Sequence, residues 1–141
     1  VTPLVVDASA AISWFVASQS GKRSAAFTER LTDFRIIAPD VFAWEMANLF
    51  RRFSAAGALD VDKAMASLEL LDVQYSGPRS ATEIYDLVAV AHGIGLSLFD
   101  TTYFLLAHET GAELVSRDTA LLTAARAHAI PCHDLNEAKA P

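Results

Sequence analysis

Leu4-Val5-Val6-Asp7-Ala8-Ser9-Ala10-Ala11-Ile12 is the stretch on which the reading of the fold turns. Three apolar residues of strand type run straight into an acid, and a helix-like segment through Ser13-Trp14-Phe15 follows at once. A short unbroken apolar run suits a strand buried on both faces, as in parallel sheets. The pattern recurs down the chain. Arg35-Ile36-Ile37-Ala38 reads as a strand stopped by Pro39, and Val73-Gln74-Tyr75 as a short strand before the Gly77-Pro78 turn. Glu113-Leu114-Val115-Ser116 reads as a strand, and Ile130-Pro131-Cys132-His133 as a last, edge-type strand.

Helical segments lie between these runs. A helix is expected from about Lys22 to Leu31, with Phe27 and Leu31 at i and i+4. The most amphipathic one covers Val41 to Phe53, with Asp40 as N-cap, a stripe of Phe42, Met46, Leu49, Phe50 and Phe53, and Gly57 as stop signal. Asp60 caps a helix to about Leu71, and the capping box Ser80-x-x-Glu83 opens another with Ile84, Leu87, Val88 and Ala91 on one side, ending near Gly93 or Gly95. Further helices run from Asp100 towards Gly111 and from Thr119 to His128. Strands alternating with helices indicate an α/β domain with a mostly parallel central sheet covered on both faces.

The 141 residues, 52% of them hydrophobic, have the size of one domain spanning 1–141. No repeat or low-complexity tract interrupts it. The single Cys132 excludes an internal disulfide framework and is read as a small packed residue. No secretory or membrane segment is legible, because Asp7 interrupts the first apolar run, and Leu87 to Phe99 is short and broken by His92, Gly93 and Gly95. The expectation is a soluble, cytoplasmic protein. A net charge of −6 argues against nucleic-acid binding by an overall positive field. It leaves room for a nuclease whose clustered acids bind divalent cations.

Four acids border apolar segments: Asp7, Glu45 in Phe42-Ala43-Trp44-Glu45-Met46, Asp100 after Leu96-Ser97-Leu98-Phe99, and Asp118 after Leu114-Val115-Ser116-Arg117. Acids are rarely buried unless paired or metal-bound, so four in such places point to a shared polar pocket. Asp7 and Asp118 both follow predicted strands, and ligands of open α/β sheets bind beyond the carboxyl ends of strands where the order reverses. If the two strands are neighbours, both carboxylates face one crevice. Two carboxylates about 5 Å apart repel by roughly 3 kcal/mol at an effective dielectric of 20, so protons or cations must enter. Oxygen-only donors point to Mg²⁺ or Mn²⁺ rather than zinc, and the fitting chemistry is phosphodiester hydrolysis. Simpler roles compete: Asp7, Asp100 and Asp118 each suit a helix N-cap, and Glu45, with Asn48 and Arg52 at i+3 and i+7, suits a solvated helix face.

Val5-Val6-Asp7-Ala8-Ser9, the helical Glu45 after Pro39, Phe99-Asp100-Thr101-Thr102-Tyr103-x-x-x-Ala107, Gly111 and Leu114-Val115-Ser116-Arg117-Asp118-x-x-Leu121 together resemble the PIN-domain nucleases, and closely their VapC toxin branch. The likeness spans nearly the whole chain, with the acids separated by 38, 55 and 18 residues. It implies a three-layer, Rossmann-like α/β/α sandwich of strand order 3-2-1-4-5. It also implies a Mg²⁺- or Mn²⁺-dependent endoribonuclease, with Asp7, Glu45, Asp100 and Asp118 as metal-binding and catalytic acids and Ser9 and Thr102 in support. Toxins of this branch are typically homodimers silenced by a cognate antitoxin. Ser116 stands where many relatives have Thr.

Arg51, Arg52 and Arg117 are candidate contacts to RNA phosphate or antitoxin carboxylate. His92, His108, His128 and His133 lack metal-ligand spacing and are read as structural or surface residues. Trp14, Trp44 and the Phe residues of the third helix are expected in the core, with any apolar surplus there available to a dimer or antitoxin interface. Two rivals stay open: an aspartyl-phosphate phosphatase of haloacid-dehalogenase type, weakened by Ser9 where Asp-x-Asp is needed, and a non-catalytic domain that only binds RNA or protein.

Overall fold

Strand β1 (Thr2–Val6) carries the run Leu4-Val5-Val6 through the middle of a five-stranded sheet, where all three side chains are fully buried. The computed structural model describes residues 1–137; the expected domain end at 141 lies outside them. β1 pairs in parallel with β2 (Phe34–Pro39) on one side and with β4 (Glu113–Ser116) on the other. β3 (Gln74–Ser76) pairs with β2 and β5 (Cys132–Asp134) with β4, both parallel, giving the order 3-2-1-4-5. The order reverses between β1 and β4, so the switch-point crevice opens where these two strands end.

Helices α1 (Ala8–Ala11), α2 (Lys22–Thr28), α3 (Val41–Ala55) and α4 (Val61–Leu70) fill the β1 to β2 and β2 to β3 crossovers. Helices α5 (Ala81–Ile94), α6 (Leu98–Thr110) and α7 (Thr119–Ala127) fill the remaining two. α1 packs on α3 and α3 on α4, whereas α5 packs on α6 and α6 on α7. Right-handed crossovers in opposite directions along the sheet place these groups on opposite faces, the three-layer sandwich that the alternation predicts. No single helix among the described residues is long and apolar enough to cross a membrane.

Element ends follow local chemistry. Asp60, Ser80 and Asp118 accept from the Lys63, Glu83 and Leu121 amides and so cap α4, α5 and α7. Gly95 and Gly111 end α5 and α6 in the left-handed conformation, which glycine adopts without steric cost. Asp40 departs from expectation. It precedes α3 with helical dihedrals and no side-chain cap, its carboxylate packed so close to Gly77 that a Cβ there would collide with it. α2 stops at Thr28, where the hydroxyl bonds back to the Ala25 carbonyl and the next amides form tighter i to i−3 bonds; Leu31 opens a 3-10 turn, Leu31–Asp33.

The stripe on α3 is buried at Phe42, Met46 and Phe50, with Leu49 and Phe53 packed against the core. Trp44 was expected inside and is instead 80% exposed. Two residues on from Phe42 it is rotated about 200° around the helix, away from the stripe. Trp14 does reach the core edge, stacked on Phe27. On α5 only Ala91 of the predicted apolar side is buried; Ile84 and Val88 face solvent. Truncating Phe42 to Ala should cost about 3–5 kcal/mol, because it removes a fully buried ring and leaves a cavity. Trp44→Ala should stay within about 0.5 kcal/mol; urea unfolding midpoints of the two variants measure the contrast.

Candidate active site

The register pairs Val6 with Val115, so the residues that follow, Asp7 and Ser116, leave the sheet side by side. Asp7 is buried and caps α1 through Oδ1, which accepts from the Ala10 amide at 2.9 Å and from the Ser9 hydroxyl at 2.7 Å. Oδ2 accepts from Ser116 Oγ at 2.7 Å. Ser116, fully buried, in turn accepts from the Asp118 amide at 2.8 Å. Asp118 caps α7 through Oδ1, at 3.0 Å from the Leu121 amide. Capping and a place in the crevice coexist for both acids.

Asp100 was expected to start its helix. α6 instead begins two residues earlier, at Leu98, because Ser97 caps it by accepting from the Asp100 amide at 3.1 Å. The apolar run before Asp100 is thus partly the first turn of a helix, and the acid is freed from capping. It remains near the helix N-terminus, whose partial positive charge favours an anion. Glu45 lies one turn into α3, half-buried, with Oε1 accepting from the Tyr103 hydroxyl at 2.6 Å.

The acids sense one another. Burial pushes the Asp7 carboxyl up to about 6 against the lowering effect of its three donors, and repulsion from Asp118 adds to the rise. Asp100 is also pushed up to about 6, by burial first, then by Asp118, with Glu45 contributing. Among the described residues no Lys or Arg forms an ion pair with any of the four. Nor do three His, Cys, Asp or Glu side chains stand close enough to form a finished metal group there. The arrangement is a set of repelling carboxyls at one strand-end crevice, all with oxygen donors.

The remaining sequence candidates divide. Ser9 joins the site, donating to Asp7 and accepting from the Arg117 amide at 2.9 Å. Arg117 turns its guanidinium inward onto the Ser9 carbonyl and onto Gln19, at 2.8 Å from its carbonyl oxygen, while Asn136 Nδ2 donates to the Arg117 carbonyl. It staples the segment after α1 to the β4–α7 turn. The Thr102 hydroxyl bonds to the Phe99 carbonyl of its own helix, and the residue lines a groove of about 250 Å³ with Trp44, Ile84 and Phe99. Arg51 and Arg52 are exposed farther along α3, Arg52 over the Phe53 ring. None of the four histidines joins the acids; His133, for one, pairs with Glu113 at 2.7 Å.

Sequence reasoning gave neither Ser116 nor Tyr103, though it quoted both in the stretches resembling the family, a role in the site. Ser116 was detectable as a hydroxyl at a strand end two residues before an acid. Tyr103 lies at i+3 from Asp100, on the same side of α6, but its aromatic ring reads as core.

A carboxyl whose folded value exceeds its unfolded one binds more protons folded than unfolded between about 4 and 6, so folding stability falls as pH rises through that window. Keeping Asp7 ionised at neutral pH costs on the order of 3 kcal/mol. In EDTA, Asp7→Asn should therefore melt above the wild type at pH 7.5, and the gap should shrink as pH falls towards 4. A gap independent of pH in calorimetric melts would overturn the assignment.

Comparison with known proteins bears on the fold and the family. The PIN domain model matches residues 4–127. No curated protein sequence matches the chain significantly. Among solved structures, PAE2754 from Pyrobaculum aerophilum is similar at TM-score 0.65 and 20% identity, covering 87% of this chain and 79% of its own. A domain of a functionally unknown protein from Methanocaldococcus jannaschii aligns at TM-score 0.60 and 23% identity over 100% and 96% of the two chains. FitAcB from Neisseria gonorrhoeae aligns at 0.52 and 18% over 93% and 96%. These likenesses bear on fold, and the match over residues 4–127 bears on kinship: the chain belongs to the PIN domain family, whose members are generally nucleases.

Proposed function

We propose that the chain is a single PIN domain acting as a Mg²⁺- or Mn²⁺-dependent endoribonuclease, the toxin of a toxin–antitoxin pair. The observation that supports the reading is that Asp7 and Asp100 are pushed up by burial and by Asp118, Asp100 also by Glu45, while no Lys or Arg among the described residues forms an ion pair with any of these acids. Oxygen-only donors suit a hard divalent cation, and Mg²⁺ keeps several waters and needs only one or two carboxylates from the protein. Asp7 and Asp100 would hold the ion, joined by Glu45 and Asp118. The bound cation supplies charge neutralisation at the phosphate and a water of lowered pKa.

The chain's own contribution is orientation. Ser9, the Ala10 amide and Ser116 pin both oxygens of Asp7, the Leu121 amide pins one oxygen of Asp118, and Tyr103 pins one of Glu45. Donors at these three acids keep their carboxylates from turning away from one another under repulsion. The phosphatase alternative gains nothing, since Ser9, standing where that chemistry needs a second Asp, only donates to Asp7 Oδ1. Exposed apolar residues around the Trp44–Phe99 groove, with Ile84 and Val88, support protein partners, namely a cognate antitoxin and a second copy of the chain.

Purified protein should cleave RNA with Mg²⁺ or Mn²⁺ and stop on addition of EDTA. Asp7→Asn and Asp100→Asn should each lower the cleavage rate by roughly 10²-fold or more while remaining folded. Gel assays on a mixed RNA pool read the outcome, and activity retained by both variants sinks the metal-nuclease reading.

A further inference from the structure

Tyr103 is 1% exposed, yet its hydroxyl is placed among acids rather than in the hydrocarbon core. It donates to Glu45 Oε1 at 2.6 Å, a short bond of the charge-assisted kind. Burial, then Glu45 and Asp7, push the phenol's pKa up, and the Ala8 backbone amide, next to Asp7, lowers it, so the hydroxyl senses the start of α1. One turn earlier on α6, on the same side of the helix, stands Asp100. A single hydroxyl thus ties α6, which carries Asp100, to α3, which carries Glu45, beside the strand end that carries Asp7.

Glu45 needs this more than Asp7 and Asp118 do. Asp7 and Asp118 are held by capping bonds to their own helices, and Asp100 follows an N-capping serine. Glu45 lies inside α3, where the backbone offers its side chain no donor, and three single bonds separate its carboxyl from the helix. Tyr103 is the one hydrogen-bond donor to Glu45 among the described residues' side-chain bonds.

We infer that Tyr103 is a positioning residue for the nuclease: its hydroxyl occupies Oε1 of Glu45 so that Oε2 is the oxygen presented to a divalent cation in the crevice. This rests on the metal-nuclease reading and assigns a site residue beyond the acids. Groups that orient metal-binding carboxylates from behind typically change metal affinity about 10–100-fold when removed.

The test is Mn²⁺ titration by calorimetry on the full chain, together with steady-state cleavage, for wild type, Tyr103→Phe, Glu45→Gln and the double variant. Tyr103→Phe should weaken Mn²⁺ binding by about tenfold or more and raise the Mg²⁺ concentration needed for half-maximal cleavage, with KM for RNA changed less than about twofold. In the Glu45→Gln background the same substitution should change Mn²⁺ affinity less than about twofold, since the group through which Tyr103 acts is already altered. An equal loss in both backgrounds, or a lower melting temperature with unchanged Mn²⁺ affinity, overturns the inference and makes Tyr103 a packing residue. Wild-type protein that neither binds Mn²⁺ nor cleaves RNA overturns the nuclease reading beneath it. Binding by wild type with no change in Tyr103→Phe overturns this inference alone.

Discussion

The fold and the site meet in the hydrogen bonds around one buried carboxylate. Asp7 ends the central strand, accepts from Ser9, Ala10 and Ser116, and its own amide donates to the Val115 carbonyl at 3.3 Å. Removing a carboxylate from water is expensive unless its lone pairs are satisfied, and here three donors arrive from two segments that meet only in the assembled sheet. The same bonds start α1 beneath the crevice and, through Ser116, bring the Asp118 amide into place. A structural requirement, satisfying a buried acid at a strand end, therefore builds much of the polar pocket.

The other acids enter on different terms. Asp100 and Asp118 stand at helix starts, where unpaired amides and the aligned backbone dipoles partly offset their charge. That offset is incomplete: burial and mutual repulsion still push Asp7 and Asp100 up to about 6. Arg117, the nearest arginine in sequence, gives its guanidinium to backbone and Gln19 oxygens and so stiffens the crevice wall. The charge imbalance stays within the site, the condition under which a divalent cation has most to gain.

Much of this was legible in the chain. Leu4-Val5-Val6 announced a strand buried on both faces, the Phe42, Met46 and Phe50 stripe announced a packed helix, and Gly111, with Gly95 as one of two stops offered beside Gly93, marked helix ends. Errors arose where a side chain had two local options. Asp100 and Asp40 both looked like caps, but Ser97 took the first role and packing against Gly77 removed the second. Trp44 looked like core by composition, although its angle on the helix turns it to solvent.

By itself the sequence determined the strand and helix periods, the parallel α/β class and the four acids worth watching, because these depend on spacing along the chain and on the cost of burying charge. Only the tertiary structure decided which hydroxyls serve those acids. Ser116 reaches Asp7 across 109 positions, and Tyr103 reaches Glu45 across 58. A hydrogen bond depends on distances of a few tenths of an ångström and on direction, and no local pattern encodes the register of β1 on β4 or the approach of α6 to α3.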